Sequence, residues 1–175
     1  MPEIEERDLE GCEILVHLAA HGVSPQPASW NDCFRVNVCE SLDLVHKAIS
    51  SGSERLLVAC TFSEYGRSGA QYSFIPVNAP LEPTSEYAAS MNTETIEEAA
   101  LARATKARFF YGRIFSAYGE GQHESNFWPS LRKAALAGED FPMTKGEQIR
   151  DFIPVEMVAD QLLKACDRSD LSPGE

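Results

Sequence analysis

The sequence predicts an α/β fold in which parallel strands are joined by helical crossovers. Short apolar runs alternate along the chain with longer amphipathic stretches, and this alternation is typical of a parallel sheet covered by helices. The chain has 175 residues, which is about the size of one domain with a single core. We therefore expect a parallel sheet with flanking helices.

The first half of the chain predicts two strands separated by a helix. Residues 14–20 form a buried-strand run that ends in small side chains. After a loop rich in Gly and Pro, Ser29 fits a helix N-cap, and apolar residues then recur at helical spacing over residues 30–49. Gly52 closes this helix. Residues 56–60 are the next apolar run and predict the second strand.

The second half begins with a long irregular segment, residues 66–83, which holds two glycines and three prolines. A helical pattern follows over residues 85–105, and residues 109–114 predict a third strand. The pattern then changes. We predict three further segments: a short helix over residues 128–137, a loop or edge strand over residues 142–148, and a final helix over residues 155–167.

Charge and hydropathy exclude several classes of function. The net charge of −12 opposes nonspecific binding to nucleic acid or to an anionic membrane. The longest apolar stretch, residues 14–23, contains two histidines and is shorter than the roughly 18 residues of a membrane span. The amino terminus is acidic, unlike a signal or transit peptide, so we expect a cytoplasmic protein. An anionic small ligand would need local arginines, for which Arg113, Arg132 and Arg150 are candidates.

The cysteines give no indication of a redox or metal site. No C-x-x-C spacing occurs, and most of them fall at apolar positions of the predicted elements. We expect buried free thiols rather than disulfides or metal ligands. The five residues are Cys12, Cys33, Cys39, Cys60 and Cys166.

Several short motifs follow one another in a particular order. They are His17-Leu18-Ala19-Ala20, Asn37, the segment from Thr61 to Gly66, Tyr87, the segment from Arg113 to Gly119, and the segment from Arg150 to Val155. Each motif alone is weak. Together the sequence resembles the extended short-chain dehydrogenase/reductase family, the NAD-dependent epimerases and dehydratases that modify nucleotide sugars. The resemblance implies part of a Rossmann-like sheet and part of a small substrate lobe.

The resemblance implies a role for each matching position. Thr61 and Tyr87 take the catalytic positions: the tyrosine moves a proton and the threonine orients the substrate oxygen. NAD or NADP is the implied cofactor, and a nucleotide-diphosphate sugar is the implied substrate. The implied cofactor-binding residues are Leu18, Ala19, Ala20, Asn37, Tyr87 and Phe115. The implied substrate-binding residues are Thr61, Ser116 and Arg150, and no metal is implied.

Each of these residues also has a simpler interpretation when it is taken alone. Ala19 and Ala20 could merely pack a helix tightly against the sheet. Asn37 could be a surface amide, and Thr61 could be a strand-end threonine that bonds only to backbone.

Two departures from the family pattern set this chain apart. Met91 stands where the family has a lysine, which binds the nicotinamide ribose and lowers the pKa of the tyrosine. The Gly-rich turn that binds the cofactor pyrophosphate is also missing, which implies that about sixty residues of the family pattern are absent before the first strand. The family also continues past Glu175. On this basis residues 1–118 correspond to part of a dinucleotide-binding domain and residues 119–175 to part of a substrate-binding region.

Three hypotheses about function follow. The chain is an epimerase/dehydratase-type oxidoreductase with impaired chemistry, because Met91 cannot supply the positive charge. Alternatively, it is a noncatalytic pseudoenzyme or dimerisation module, which forms a homodimer or pairs with a full-length homologue through the helices at residues 31–51 and 85–105. The third possibility is a gene fragment without a stable function.

Overall fold

A computed structural model describes residues 4–168 of the chain. Its main sheet has three strands, β1 (Ile14–His17), β2 (Arg55–Thr61) and β3 (Arg108–Ile114), in the order β1-β2-β3. Both pairings are parallel, and Leu15, Leu56 and Phe109 lie side by side across the sheet. The three predicted strands and their parallel arrangement are therefore confirmed.

The first crossover is one helical segment with an irregular centre. It consists of α1 (Trp30–Phe34), a π-helical stretch (Arg35–Glu40) and α2 (Ser41–Ser50). The Ser29 side chain accepts a hydrogen bond from the backbone N–H of Asp32 and caps the helix, as predicted. The π-helical stretch was not predicted, because apolar periodicity does not distinguish it from regular α-helix.

The second crossover runs through the irregular segment to a long helix. Two short turns of helix follow β2, a 3₁₀ turn (Phe62–Tyr65) and α3 (Gly66–Gly69). The long helix α4 (Glu86–Thr105) begins at the Ser85 cap and ends where Lys106 adopts a left-handed conformation. Its predicted extent is confirmed.

The last part of the chain forms a second, smaller sheet. Strand β4 (Ser116–Tyr118) pairs in parallel with β5 (Phe152–Pro154), with α5 (Phe127–Ala137) between them and α6 (Val155–Cys166) after them. Both helices were predicted, but the two short strands were not. Residues 142–148 form no strand. Three-residue strands leave too little sequence for an alternating pattern to show.

Helices cover both faces of the main sheet. On one face Leu56, Val58 and Cys60 join a buried core with residues of α2 and α4. On the other face α6 packs on the sheet, and a Cβ on Gly112 would lie 3.4 Å from Leu162 Cδ2. Because side chains alternate along a strand, β2 serves both layers.

The expectation about the cysteines is only partly correct. Cys33 and Cys60 are buried, but Cys12 and Cys39 are exposed and Cys166 is half-buried. All five are free thiols. Within residues 4–168, no three His, Cys, Asp or Glu side chains are grouped so that they could hold a metal ion. No helix in that range has the length and apolar character needed to cross a membrane.

Candidate active site

Three of the residues singled out in the sequence lie at one edge of the main sheet. Leu18 follows β1, Thr61 ends β2, and Phe115 follows β3. The strands are parallel, so their carboxyl ends lie at the same edge, which is where α/β proteins usually bind ligands. Phe115 stacks on Phe62 with their ring centroids 5.4 Å apart, directly beside Thr61 in the chain.

Thr61 is held in place by the turn that follows it. Its Oγ1 accepts a hydrogen bond from the backbone N–H of Ser63 at 3.2 Å, and its own N–H donates to Glu64 Oε1 at 3.0 Å. This reciprocal pattern is a capping box for the 3₁₀ turn. Because Oγ1 already accepts from Ser63, its hydrogen remains available for donation to another oxygen. If Thr61 bonded only to backbone, its hydroxyl hydrogen would have no acceptor among the contacts described above.

Tyr87 lies in the first turn of α4 and is partly buried. Burial raises the pKa of its phenol to about 12, and hydrogen bonding with the Thr61 side chain opposes that rise. Negative charge on the nearby Glu64 and Glu94 side chains raises the pKa further. The structure thus brings Thr61 and Tyr87 together, and their surroundings keep the phenol protonated.

Met91 lies one helical turn after Tyr87, and its side chain is 1% exposed. Its neighbours on α4 are Ala88 and Thr95, which are also buried. A thioether carries no charge and donates no hydrogen bond. The position that would place a cation near the phenol therefore holds an apolar side chain instead.

Asn37 is buried, so its interpretation as a surface amide is wrong. Its Oδ1 accepts from the backbone N–H of His21 at 2.6 Å, and its Nδ2 donates to the carbonyl of His21 at 3.0 Å and to Ser90 Oγ at 2.9 Å. The side chain therefore ties the loop after β1 to α4, three residues from Tyr87. His21 and Ser90 were not identified from the sequence, since no local pattern marks their contact with Asn37.

Glu64 is a further residue at the site that sequence reasoning missed. It is fully buried and accepts a hydrogen bond from Arg113 Nε at 2.9 Å. The Arg113 guanidinium also lies 5.3 Å from the centroid of the Tyr65 ring. Arg113 is thus engaged by the protein itself and is not the free anion-binding arginine that was considered. The T-x-x-E spacing from Thr61 to Glu64 is typical of a capping box, and it could have revealed the contact between these two residues.

A second group of buried polar side chains lies beneath α4. His17 Nε2 is 2.9 Å from Ser41 Oγ and 3.4 Å from Glu94 Oε1. Burial raises the pKa values of Glu94 and Glu98, that of Glu98 to about 9. Both side chains are enclosed by the protein, with exposures of 1% and 0%, so their ionisation affects the stability of the fold.

Ser116 pairs in the small sheet with the segment that directly follows Arg150. The backbone N–H of Ser116 donates to the carbonyl of Asp151 at 3.1 Å, and Ser116 pairs with Phe152. Arg150 is exposed, and its side chain forms no ion pair with any residue in the described range 4–168. Its guanidinium is therefore free to meet an anionic group.

Comparisons with solved structures reveal close similarity in fold. The chain aligns with TunA, an NAD-dependent NDP-hexosamine 5,6-dehydratase involved in tunicamycin biosynthesis, at 31% identity and a TM-score of 0.85. It aligns with MoeE5 in complex with UDP-glucuronic acid and NAD at 28% identity and a TM-score of 0.82. A UDP-N-acetylglucosamine 4-epimerase from Methanobrevibacter ruminantium M1 shares the fold at 22% identity and a TM-score of 0.86.

The chain spans about half the length of these proteins. Each alignment covers 95% of this chain, but only 55% of the TunA and epimerase chains and 56% of the MoeE5 chain. No curated protein matches the chain. The sequence model of the NAD dependent epimerase/dehydratase family matches residues 5–175. This match confirms the resemblance inferred from the ordered motifs, and the chain belongs to the NAD dependent epimerase/dehydratase family.

Proposed function

We propose that this chain carries the sugar-reacting part of an NAD(P)-dependent nucleotide-sugar epimerase or dehydratase, with impaired proton transfer. The observation that supports this proposal is the meeting of Thr61 with Tyr87 at the carboxyl edge of the parallel sheet. The substrate is a nucleotide-diphosphate sugar, and the cofactor is NAD or NADP.

Tyr87 and Thr61 divide the work on the substrate oxygen. With a pKa of about 12, only about one Tyr87 phenol in a hundred thousand is ionised at neutral pH. Tyr87 is therefore a hydrogen-bond and proton donor, but a poor base. Thr61 orients the same oxygen through its hydroxyl group. Hydride exchange at a sugar carbon is the chemistry that NAD(P) supplies when it is bound.

The residues proposed to face the cofactor fit it only in part. Leu18 and Ala19 are exposed at the end of β1 and offer an open surface with small or apolar side chains. The Asn37 amide is already used by His21 and Ser90, so it supports the cofactor-facing loop from beneath. Met91 offers no donor for the ribose hydroxyls. We therefore expect weak binding of NAD(P) by this chain.

Arg150 is the residue proposed to bind the diphosphate. Its exposed guanidinium has no competing ion pair in the described range, and arginine matches the fork of two phosphate oxygens. Ser116 lies beside the same segment through the β4–β5 pairing and would contact the sugar end.

Calorimetric titration of the purified chain with UDP-glucose and with NAD tests binding. We expect UDP-glucose to bind and Arg150→Met to weaken that binding about tenfold. Arg67→Met removes another exposed arginine and is the matched control. Failure of UDP-glucose to bind at millimolar concentration would reject the proposal.

The rate at which the chain converts a nucleotide sugar tests whether its proton transfer is impaired. A Met91→Lys variant that still folds should convert nucleotide sugar at least a hundredfold faster than the natural chain, because general acid–base catalysis contributes about 10²–10⁴. Met91→Gln, which adds polarity without charge, should not show this gain. Equal rates for the natural chain and Met91→Lys would mean that proton transfer is not impaired.

A noncatalytic pairing role is the second candidate. Ile96 is 61% exposed on α4, and Trp30 is 59% exposed on α1, in the pair of packed helices proposed for dimerisation. Exposed apolar residues on a long helix are a common feature of subunit interfaces. Under this proposal the chain forms a homodimer or pairs with a full-length homologue.

Sedimentation measurements distinguish this role. If α4 is an interface, the natural chain should sediment as a dimer, alone or with a homologue, and Ile96→Asp should abolish the dimer. Leu163→Asp, at a residue 68% exposed on α6, should have no effect. A strict monomer that ignores the homologue would reject this candidate.

A further inference from the structure

The helical segment of the first crossover keeps one row of side chains buried along its length. Cys33, Asn37, Ser41 and Val45 follow one another at intervals of four residues, and each is at most 1% exposed. In a regular α-helix each such interval turns the side chain by about 40°, so the fourth residue would point about 120° away from the first. The π-helical stretch (Arg35–Glu40), whose hydrogen bonds span five residues rather than four, offsets this rotation. It therefore brings the row to one buried face.

Ser41 closes the π-helical stretch. Its backbone N–H donates to the carbonyl of Val36, five residues earlier, and its Oγ donates to the same carbonyl at 3.3 Å. Because the hydroxyl hydrogen is used in this way, Oγ is the acceptor for His17 Nε2, which lies 2.9 Å away. His17 Nε2 therefore carries the ring hydrogen, and a side chain of β1 supports the residue that closes the irregular turn.

Asn37 directly follows the fixed carbonyl of Val36. One hydrogen of its Nδ2 is donated to the carbonyl of His21 at 3.0 Å, and the other to Ser90 Oγ at 2.9 Å. Ser90 Oγ in turn donates to the carbonyl of Tyr87 at 2.8 Å. A continuous chain of hydrogen bonds thus runs from the π-helical stretch to the backbone of Tyr87.

The Asn37 amide also reaches Tyr87 through the loop after β1. Its Oδ1 and Nδ2 both bond to the backbone of His21, which fixes the path of the next residue, Gly22. A Cβ on Gly22 would lie 3.6 Å from Tyr87 Cβ and 2.9 Å from Cys33 Sγ. The loop is therefore packed between the first crossover and the tyrosine, so a shift of His21 would disturb the packing at Tyr87.

We propose that His17 and Ser41 are positioning residues for Tyr87. They hold the π-helical stretch that directs the Asn37 amide, and this amide fixes the tyrosine through Ser90 and through the loop after β1. His17 is 4% exposed and Ser41 is 1% exposed, so both are enclosed by protein and act on the tyrosine through these contacts. The proposal rests on the function proposed above, in which Tyr87 provides the reacting hydroxyl.

Nuclear magnetic resonance of the chain labelled with ¹³C at the tyrosine ζ carbon tests the role of Ser41. Ser41→Ala should shift the Tyr87 signal. It should also make exchange of the His21 amide hydrogen about fivefold faster, which is the effect of one lost hydrogen bond. Ser41→Thr keeps the hydroxyl and should restore both properties. An unchanged Tyr87 signal and unchanged His21 exchange in Ser41→Ala would reject the proposal.

Two other positions test the steps on either side of Ser41. His17→Leu removes the donor to Ser41 and should have the same effects as Ser41→Ala, whereas His17→Gln keeps a donor and should restore the natural signals. Ser90→Ala leaves the π-helical stretch intact and breaks only the last step. It should shift the Tyr87 signal without changing the exchange of the His21 amide. If His17→Leu and His17→Gln give the same Tyr87 signal, His17 has no positioning role.

Ser53 offers a matched control. It is 3% exposed, and its Oγ donates to the carbonyl of Cys12 at 2.7 Å. Ser53→Ala therefore removes the same kind of buried hydrogen bond from a different part of the fold, and it should leave the Tyr87 signal in place. If Ser53→Ala shifts this signal as far as Ser41→Ala does, the shift reflects a general loss of stability and the proposal fails.

These measurements need neither nucleotide nor cofactor, so they are independent of the proposed function. If UDP-glucose does not bind but Ser41→Ala shifts the Tyr87 signal, the nucleotide-sugar function fails and the positioning of Tyr87 stands. If UDP-glucose binds but Ser41→Ala and His17→Leu leave the Tyr87 signal unchanged, the proposed function stands and the positioning role is rejected.

Discussion

Glu64 Oε2 accepts a hydrogen bond from Arg113 Nε at 2.9 Å, with no part of the Glu64 side chain exposed to solvent. The other carboxylate oxygen of Glu64 holds the backbone N–H of Thr61. One buried carboxylate therefore joins the end of β2 to β3 at the point where the candidate site lies. The Glu64–Arg113 ion pair positions Thr61. Loss of this ion pair should therefore lower the free energy of unfolding and change the position of Thr61 at the candidate site.

We predict that Arg113→Met destabilises the chain by about 3–5 kcal/mol, because it leaves the buried Glu64 carboxylate without its counter-ion. Glu64→Gln in the same background removes that unpaired charge. The double variant should therefore be more stable than Arg113→Met alone, and urea unfolding measures the difference. Additive losses from the two substitutions would show that the ion pair is not coupled in this way.

We expect the ionisation of Glu98 to make the free energy of unfolding depend on pH. Burial, together with the charges of Glu94 and Glu97, raises its pKa from 4.5 to about 9. The folded chain keeps this proton, whereas the unfolded chain loses it near pH 4.5. The contribution to stability is thus fully present below pH 4.5 and is lost as the pH rises towards 9.

Removing the Glu98 carboxyl group should make the free energy of unfolding less dependent on pH. Relative to the natural chain, Glu98→Gln should gain stability between pH 5 and pH 8, by on the order of 4 kcal/mol. Exposed Glu139 gives the control variant Glu139→Gln, for which no such gain is expected. Urea unfolding at the two pH values measures both. A difference between Glu98→Gln and the natural chain that does not change with pH would contradict the assignment.

We expect a side chain at residue 66 to clash with the neighbouring backbone. A Cβ at this residue would lie 1.9 Å from the carbonyl oxygen of Glu82, and its φ is +48°. Gly138 has a similar φ of +68° but no atom within 4 Å of its Cβ position. Gly138→Ala should cost only the left-handed strain of about 1–2 kcal/mol.

Gly66→Ala should cost clearly more than Gly138→Ala, because the backbone of Glu82 must move as well. Thermal unfolding of the two variants gives the comparison. If both variants melt at the same temperature, the close approach of the two backbone segments is not present in solution.

Local patterns were sufficient to predict most of the fold. The strands β1 to β3 and the helix α4 were recovered because their apolar runs are long enough to show a period. The strands β4 and β5 were missed, because a strand of three residues is too short to show a period in its apolar residues. The parallel order of the main strands followed from the alternation of strands and helices.

The family motifs marked candidate site residues from the sequence alone, whereas contacts that depend on tertiary packing were not predicted. Thr61 and Tyr87 were identified because their motifs lie in a recognisable order. Glu64 was missed even though its spacing from Thr61 carried a signal. The contacts of Asn37 with His21 and Ser90 join segments up to 53 residues apart, and no pattern within one segment predicts them.

The ionisation of Tyr87 tests most directly the claim that this site holds a tyrosine without a neighbouring cation. The measurement is a pH titration of the chain labelled with ¹³C at the tyrosine ζ carbon, with the Tyr87 signal assigned by Tyr87→Phe. The natural chain should show a pKa of about 12, and Met91→Lys should lower it by at least about one unit through its charge. A pKa at or below the ordinary value of about 10 in the natural chain would contradict the account.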